Sequence, residues 1–353
     1  MDTILLIPIY QPNESSVRFL STLDTSSFLK VIVIDDGSGT KYKETFDKIR
    51  AIDNVEVISY SVNHGKGHAL KVGLNEVQDH YPFTHNIVTA DGDGQHLSTD
   101  IMKVAKEGEA HPENVYLGSR DFTSVNVPKK SRFGNRFSAL YFRLMSKKKI
   151  SDTQTGLRSY PISSLDTLIS TEGERYDYEM NCLFALAPTY PFIELPITTV
   201  YENNNKASHF RAIRDSVRIY KTPLEYVAVA LTSSLLDFGA YYLLNTTLNY
   251  GLFGSIALST VIARIFSGIY NFSLLFGLVY RGRSSLKGSA IRYLVLFLIN
   301  MCLSFSLVYA FSLWTGFLSI IIKLFVEFLI FLLDFFFTST FVFIKKQKRK
   351  KAL

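Results

Sequence analysis

Two hydrophobic patterns divide the chain. In residues 1–222, short apolar runs (Thr3 to Ile7, Lys30 to Ile34, Val55 to Ser61, His85 to Thr89 and Val115 to Leu117) alternate with charged stretches compatible with helices. Short runs bounded by turn residues and separated by helical stretches predict a largely parallel α/β sheet. After Pro223 the pattern changes to long apolar stretches such as Leu294 to Trp314 and Phe317 to Phe343, each long enough to cross a bilayer. Four spans are predicted: Tyr226 to Asn245, Leu252 to Val279, Arg292 to Trp314 and Phe317 to Phe343. The expected organisation is a soluble domain over 1–222, ending in a juxtamembrane amphipathic segment, and a helical membrane domain over 223–353 with a basic tail.

Charge orients these spans. The link from Arg281-Gly282-Arg283 to Lys287 is basic, whereas Thr246 to Gly251 and Thr315 to Gly316 carry no charge. The positive-inside rule therefore puts the head, the central link and the C-terminus in the cytoplasm of a multi-pass membrane protein. The start of the chain, where Asp2 precedes only a few apolar residues before Pro8, lacks a signal-peptide pattern and agrees with a cytoplasmic head. A net charge of +7 could suggest nucleic acid. Its basic residues instead cluster beside the apolar spans: Lys206, Arg211, Arg214, Arg218 and Lys221 before the first, and Lys345, Lys346, Lys348, Arg349, Lys350 and Lys351 after the last. Anionic membrane lipid is the expected partner, not nucleic acid. The two cysteines, Cys182 and Cys302, suggest neither a disulfide framework nor a zinc site.

Within the membrane half, polar positions recur. Asp237 and Asn300, Arg264 and Glu327, Asn271 and Asp334, and Tyr280 and Phe343 each stand 63 residues apart. This reads as a parallel duplication of a two-helix hairpin. Ionisable groups in lipid face partners or cavities, so Asp237, Arg264, Lys323, Glu327 and Asp334 are expected in the bundle interior. They would either guide a phosphate-bearing lipid or neutralise one another, Lys323 with Glu327 or Arg264 with Glu327.

The densest chemistry in the head is Thr89-Ala90-Asp91-Gly92-Asp93-Gly94-Gln95-His96. On an extended segment, alternation would point Asp91, Asp93 and Gln95 to one side, where three oxygens could hold Mg²⁺ or Mn²⁺ and leave positions for a diphosphate. A solvated Asp-Gly turn explains Asp-x-Asp alone equally well. The other strand ends add to the picture: Pro8 and Tyr10, Asp35-Asp36-Gly37-Ser38, and Asn63-His64-Gly65-Lys66-Gly67. Ligands of parallel sheets bind at the carboxyl ends of strands. Asp36 could accept from ribose hydroxyls or a base N–H, and Lys66 could face the base or the phosphates. No dinucleotide fingerprint or P-loop pattern is present.

Leu6-Ile7-Pro8-Ile9-Tyr10, Val33-Ile34-Asp35-Asp36-Gly37-Ser38, Asn63-His64-Gly65-Lys66-Gly67, Asp91-x-Asp93-x-Gln95-His96 and Asp152-Thr153-Gln154-Thr155-Gly156-Leu157-Arg158 together resemble family 2 glycosyltransferases of the polyprenyl-phosphate (dolichol-phosphate mannose synthase-like) type. Asn271-Phe272 and Val279-Tyr280-Arg281 resemble the GtrA-like four-helix domain fused to such enzymes, with Asp334 standing where the second copy would carry Asn. The resemblance implies a GT-A head with a Rossmann-like, mostly parallel sheet. It places a divalent metal at Asp91, Asp93 and Gln95, and Pro8, Tyr10, Glu14, Asp36, Lys66 and Asp91 around the nucleotide-sugar. Asp93, Asp152 and Gln154 become the catalytic set. It further implies inverting transfer of a hexose, with UDP favoured over GDP as carrier, to undecaprenyl or dolichyl phosphate, giving a lipid-linked donor for cell-envelope glycans.

Guanidinium forks match phosphate oxygens in pairs, so Arg120, Arg132, Arg136 and Arg211 are the candidates for the acceptor phosphate. For Arg132 and Arg136 a solvated helix face reads equally well. Asp177 and Glu179 could contact sugar hydroxyls or favour a helix N-terminus. Two other functions share these features: transport of a lipid-linked sugar by the membrane half, and a processive polysaccharide synthase. The synthase reading is weakened by the missing Gln-x-x-Arg-Trp, since the only tryptophan is Trp314. A homo-oligomer is compatible with the sequence.

Overall fold

A computed structural model describes residues 1–122, 129–198, 217, 218, 220–247, 251–281, 284–315 and 319–343. The chain divides into two compact units, Met1–Ile219 and Tyr220–Leu353.

The first unit is built on a seven-stranded sheet: β1 (Thr3–Ile9), β2 (Lys30–Asp35), β3 (Val55–Ser59), β4 (Asn86–Thr89), β5 (Val115–Arg120), β6 (Arg158–Pro161) and β7 (Phe192–Ile197), in the spatial order β3-β2-β1-β4-β6-β5-β7. Only β6 runs antiparallel, to β4 on one side and β5 on the other. The five anticipated strands all form, with Pro8 inside β1 opposite Ile34 rather than after it. Strands β6 and β7 were not anticipated. The described residues of this unit also form helices α1 (Glu14–Thr22), α2 (Lys43–Arg50), α3 (Lys66–His80), α4 (Ser98–Ala110), α5 (Lys129–Ser146), α6 (Leu165–Ile169) and α7 (Tyr176–Leu186).

Alternating strand residues feed two cores. Ile4, Leu6, Ile32 and Ile34 pack with α3 and α7 on one face, and Leu5, Ile7, Val31 and Val33 with α1, α2 and α4 on the other. A sheet covered on both faces excludes water from its central strands, which is why β1 and β2 are apolar at consecutive positions. The carboxyl ends of β1, β2 and β4 lie side by side, so the loops after them share one edge.

The second unit contains α8 (Lys221–Thr247), α9 (Gly251–Leu274), α10 (Leu286–Thr315) and α11 (Ser319–Phe337), with α8 packed on α9 and α10 on α11. Segments Lys221–Leu244, Val261–Val279 and Leu286–Leu303 are long and apolar enough to cross a membrane, and Phe328–Val342 is a shorter apolar helix. The offset of 63 residues returns here: π-helical turns at Leu275–Val279 and Thr338–Val342 end the two hairpins, and Tyr280 stacks on Phe343 with ring centroids 4.6 Å apart. Polar side chains pair inside each hairpin. Asp237 accepts from Ser267 (2.9 Å) and lies 3.9 Å from Arg264, Asn271 donates to Ser233 (3.0 Å), and Asn300 donates to Asp334 (2.5 Å). Arg264 thus meets Asp237 of its own hairpin. The side chains of Lys323 and Glu327 lie outside the described residues.

Candidate active site

The loop after β4 carries the acidic residues, but not on an extended segment. The strand ends at Thr89 and the chain turns through Gly92 and Gly94, the latter at φ +81°. Alternation on an extended strand therefore does not govern Asp91, Asp93 and Gln95; they lie on a tight turn, pinned where the Gln95 N–H donates to Asp93 Oδ1 (3.1 Å).

Asp91 is the hub of this turn. Its Oδ1 lies 2.6 Å from Lys66 Nζ at the start of α3, and its Oδ2 lies 3.4 Å from His96 Nε2. The same ammonium lies 2.8 Å from Glu179 Oε1 on α7. Burial opposes the charge on Lys66, but Asp91 and Glu179 outweigh it and hold its pKa above the ordinary lysine value. Burial likewise opposes ionisation of Asp91, and Lys66 followed by His96 outweighs it, so this carboxyl sits well below the usual range. Asp93 goes the other way: burial, and then the charge on Asp91, raise its pKa.

Gly156 lies against Asp91, and a Cβ there would fall within the carboxylate. The adjoining loop is held by Arg158, a wholly buried guanidinium that donates to the carbonyls of Thr155 (2.8 Å), Thr153 (3.1 Å) and Glu179 (2.7 Å). Arg158 thus ties the 152–158 loop to the helix that supplies Glu179. Glu194 of β7 accepts from the Ser151 N–H (2.8 Å) and the Asp152 N–H (3.1 Å) and closes the loop from below. Neither Arg158 nor Glu194 was among the expected site residues. The available signals were a charged residue inside the quoted motif and a carboxylate within an apolar run.

Several expected site residues have structural partners. Asp36 is buried and its two oxygens accept from the Tyr60 hydroxyl (2.8 Å), Asn63 Nδ2 (2.8 Å), the His64 N–H (2.9 Å) and the Gly65 N–H (2.9 Å). A carboxylate has about four acceptor positions, and these contacts of Asp36 shape the loop entering α3. Arg120 grips Asp152 in bidentate fashion, Nε to Oδ2 at 2.7 Å and Nη2 to Oδ1 at 3.0 Å. Asp152 is wholly buried and also accepts from the Gln154 N–H (3.1 Å). The expected phosphate ligand Arg120 and the expected catalytic residue Asp152 therefore brace each other, because a buried carboxylate needs its countercharge.

Gln154 itself is exposed, as is Glu14 at the first turn of α1, while Tyr10 is half-buried and its hydroxyl accepts from Gln11 Nε2 (3.0 Å). Arg132 and Arg136 stand one turn apart on α5. Arg211 lies outside the described residues. Glu179 is a partner of Lys66, and Asp177 accepts from the Arg175 N–H (3.1 Å) at the start of α7.

Two neighbouring carboxylates, one of them resisting ionisation because it is buried and then because the other is charged, suit a divalent cation, and oxygen donors are those that Mg²⁺ and Mn²⁺ take. Among the described residues no three His, Cys, Asp or Glu side chains are grouped to hold a metal. The residues present therefore fit a cation shared with a ligand's own oxygens, not a closed protein cage.

Residues 6–168 match Glycosyl transferase family 2. This matched region spans β1 to α6 and so includes Asp91, Asp93 and the 152–158 loop. The chain is 27% identical over 224 residues to a UDP-N-acetylglucosamine–dolichyl-phosphate N-acetylglucosaminyltransferase of Methanococcus voltae, covering 58% of this chain and 87% of that protein. It is also 27% identical over 229 residues to the dolichyl-phosphate beta-glucosyltransferase of Saccharomyces cerevisiae, covering 55% of this chain and 65% of that one. Among solved structures, glucosyl-3-phosphoglycerate synthase of Mycobacterium tuberculosis, crystallised with Mn²⁺, UDP and phosphoglyceric acid, is similar with a TM-score of 0.46 and 13% identity over 63% of this chain and 76% of that one.

Proposed function

We propose that the chain is an inverting, divalent-metal-dependent hexosyltransferase with a GT-A head, acting on a nucleotide-diphosphate sugar, with UDP preferred, and on polyprenyl phosphate at the cytoplasmic face of a membrane. The observation that carries this reading is the Lys66–Asp91 ion pair beside Asp93, inside the family 2 match, with Glu179 from α7 as the second partner of Lys66. The names of the archaeal and yeast relatives support a lipid-phosphate acceptor. The membrane unit is read as a GtrA-like anchor of four spans in two parallel hairpins, beginning near residue 223, with the C-terminus in the cytoplasm.

A phosphate monoester has a second pKa of about 6, so the acceptor arrives as a nucleophile and no strong general base is required. The protein's task is alignment: one acceptor oxygen placed behind the anomeric carbon, opposite the departing diphosphate. That geometry forms the new C–O bond as the old one breaks and inverts the centre. Arg132 and Arg136, with Arg211, are assigned to the acceptor phosphate. Lys66 holds Asp91 ionised and in place, Gln154 faces the sugar, and Arg120 keeps Asp152 and its loop fixed. Mg²⁺ or Mn²⁺ held by Asp91, Asp93 and Gln95 would neutralise charge on the leaving diphosphate.

The test is transfer of labelled sugar from a panel of UDP- and GDP-sugars into an organic-extractable, mild-acid-labile product, using purified full-length protein, polyprenyl phosphate and Mn²⁺ or Mg²⁺. Product from one donor, abolished by EDTA and by Asp93→Ala in a folded protein, is the expected result. No product from any donor, or near-normal turnover in Asp93→Ala, would overturn it and turn attention to transport by the membrane unit.

A further inference from the structure

Helix α5 has two faces that do different things. Its inner face is fastened to the unit: Phe142 is wholly buried, Asn135 Nδ2 donates to the Ser151 carbonyl (2.6 Å), and Ser138 and Thr153 share a hydrogen bond of 2.6 Å. Its outer face carries Phe133, Phe137, Leu140 and Leu144, which are 74%, 49%, 53% and 51% exposed. The spacing i, i+4, i+7, i+11 gathers these four into one stripe on a helix. A contiguous apolar stripe on a soluble surface marks an interaction site, whereas scattered single residues would not.

Charge identifies what the stripe meets. Arg136 and Arg143 are exposed along one edge of it, and Lys147, Lys148 and Lys149 are exposed just past the end of the helix. From Phe122 to Ser151 the sequence contains no Asp or Glu. A second copy of this chain would bring like charge against like, whereas an anionic lipid surface accepts both the apolar stripe and its basic margin. The same polypeptide carries helices apolar enough to cross a bilayer, beginning at Lys221, so this unit is tethered within reach of lipid.

We infer that the outer face of α5 lies in the headgroup region of an anionic bilayer, with Phe133, Phe137, Leu140 and Leu144 inserted and the basic residues on lipid phosphates. This rests on the membrane reading of the second unit. It gives Arg132 and Arg136 a position at the depth of a lipid-borne phosphate, and Asn135 and Ser138 pass that position on to the 151–153 loop.

The experiment uses the full chain in vesicles of phosphatidylglycerol and phosphatidylcholine. An environment-sensitive fluorophore is attached to Leu140→Cys or, as a second site, Phe133→Cys, each in a Cys302→Ser background. Cys182 is buried and its thiol pKa is pushed up to about 12 by that burial, so it is spared by the label. The natural Cys302, exposed on α10, reports separately on the span. The expected result is quenching of about twofold or more by spin-labelled lipid at Cys302 and at both α5 sites, with weaker quenching at α5 in vesicles of phosphatidylcholine alone. Quenching at Cys302 with water-like emission at α5, or with α5 shielded from both lipid and aqueous quenchers, would overturn the docking surface alone. No quenching at Cys302 would overturn the membrane reading and this inference with it.

Discussion

Lys66 Nζ lies 2.6 Å from Asp91 Oδ1 and 2.8 Å from Glu179 Oε1, so one ammonium neutralises two carboxylates from different parts of the chain. The folded-state pKa of this lysine lies above its unfolded value of about 10.4. Its contribution to stability is therefore fully present below about pH 10 and is lost as pH rises through the folded value. Lys66→Met should lower the melting temperature at neutral pH, and the gap to the parent should narrow above about pH 10.5. Thermal unfolding of both proteins across pH 7–11 checks this; a gap that is constant with pH would assign Lys66 no electrostatic role in the fold.

Arg120 offers a separate test, because two roles predict different losses. As the countercharge of a wholly buried Asp152, its removal in Arg120→Ala should destabilise the head by about 3–5 kcal/mol. A residue that only contacted acceptor phosphate would raise the acceptor KM and leave denaturant unfolding unchanged. Measuring both quantities on one variant separates the roles, and Arg120→Ala with Asp152→Asn should recover part of the lost stability.

Gly156→Ala places a methyl where the Asp91 carboxylate now lies. Since Asp91 is fixed by Lys66 and His96, it can yield only by breaking those contacts. The variant should keep the secondary structure, read by circular dichroism, and lose metal-dependent nucleotide binding by about tenfold or more, consistent with about 1.4 kcal/mol or more. Unchanged titration of UDP with Mn²⁺ would show that the carboxylate can move at no cost.

Arg158→Met retains bulk but removes the donors to three buried carbonyls, those of Thr153, Thr155 and Glu179. Each buried acceptor left unsatisfied costs about 1–3 kcal/mol. The expected outcome is a loss of at least about 3 kcal/mol in urea unfolding, with turnover falling in the remaining folded fraction because the loop and α7 are no longer tied. A neutral substitution would mean that the carbonyls find other donors.

Much of the sheet was legible because β1, β2, β4 and β5 carry apolar residues at consecutive buried positions, as burial on both faces demands, while the half-buried edge strand β3 keeps an apolar run around Glu56. The two strands that were not foreseen each break that pattern: β6 is Arg158-Ser159-Tyr160-Pro161, and β7 carries Glu194 and Pro196. Lys66, Asp91 and Gly156, from three separate motifs, are neighbours in the structure, since the ends of neighbouring strands bring their loops together. What each side chain does was less legible. Asp36 bonds to a loop some 27 residues away, and Arg120 to Asp152 32 residues away, and such pairings depend on the register of the fold. The turn at Asp91 escaped an alternation argument because Gly92 and Gly94 remove the steric reason for the chain to stay extended.

The stacked rings of Tyr280 and Phe343 join the ends of two hairpins that finish in the same π-helical turn. Each ring belongs to one hairpin and faces the other, so the contact does not depend on the short peptide link that makes them one chain. The two helix pairs of the second unit are therefore fastened ring to ring at matching π-helical ends, and a substitution of either aromatic would loosen both pairs at once while leaving the chain between them untouched.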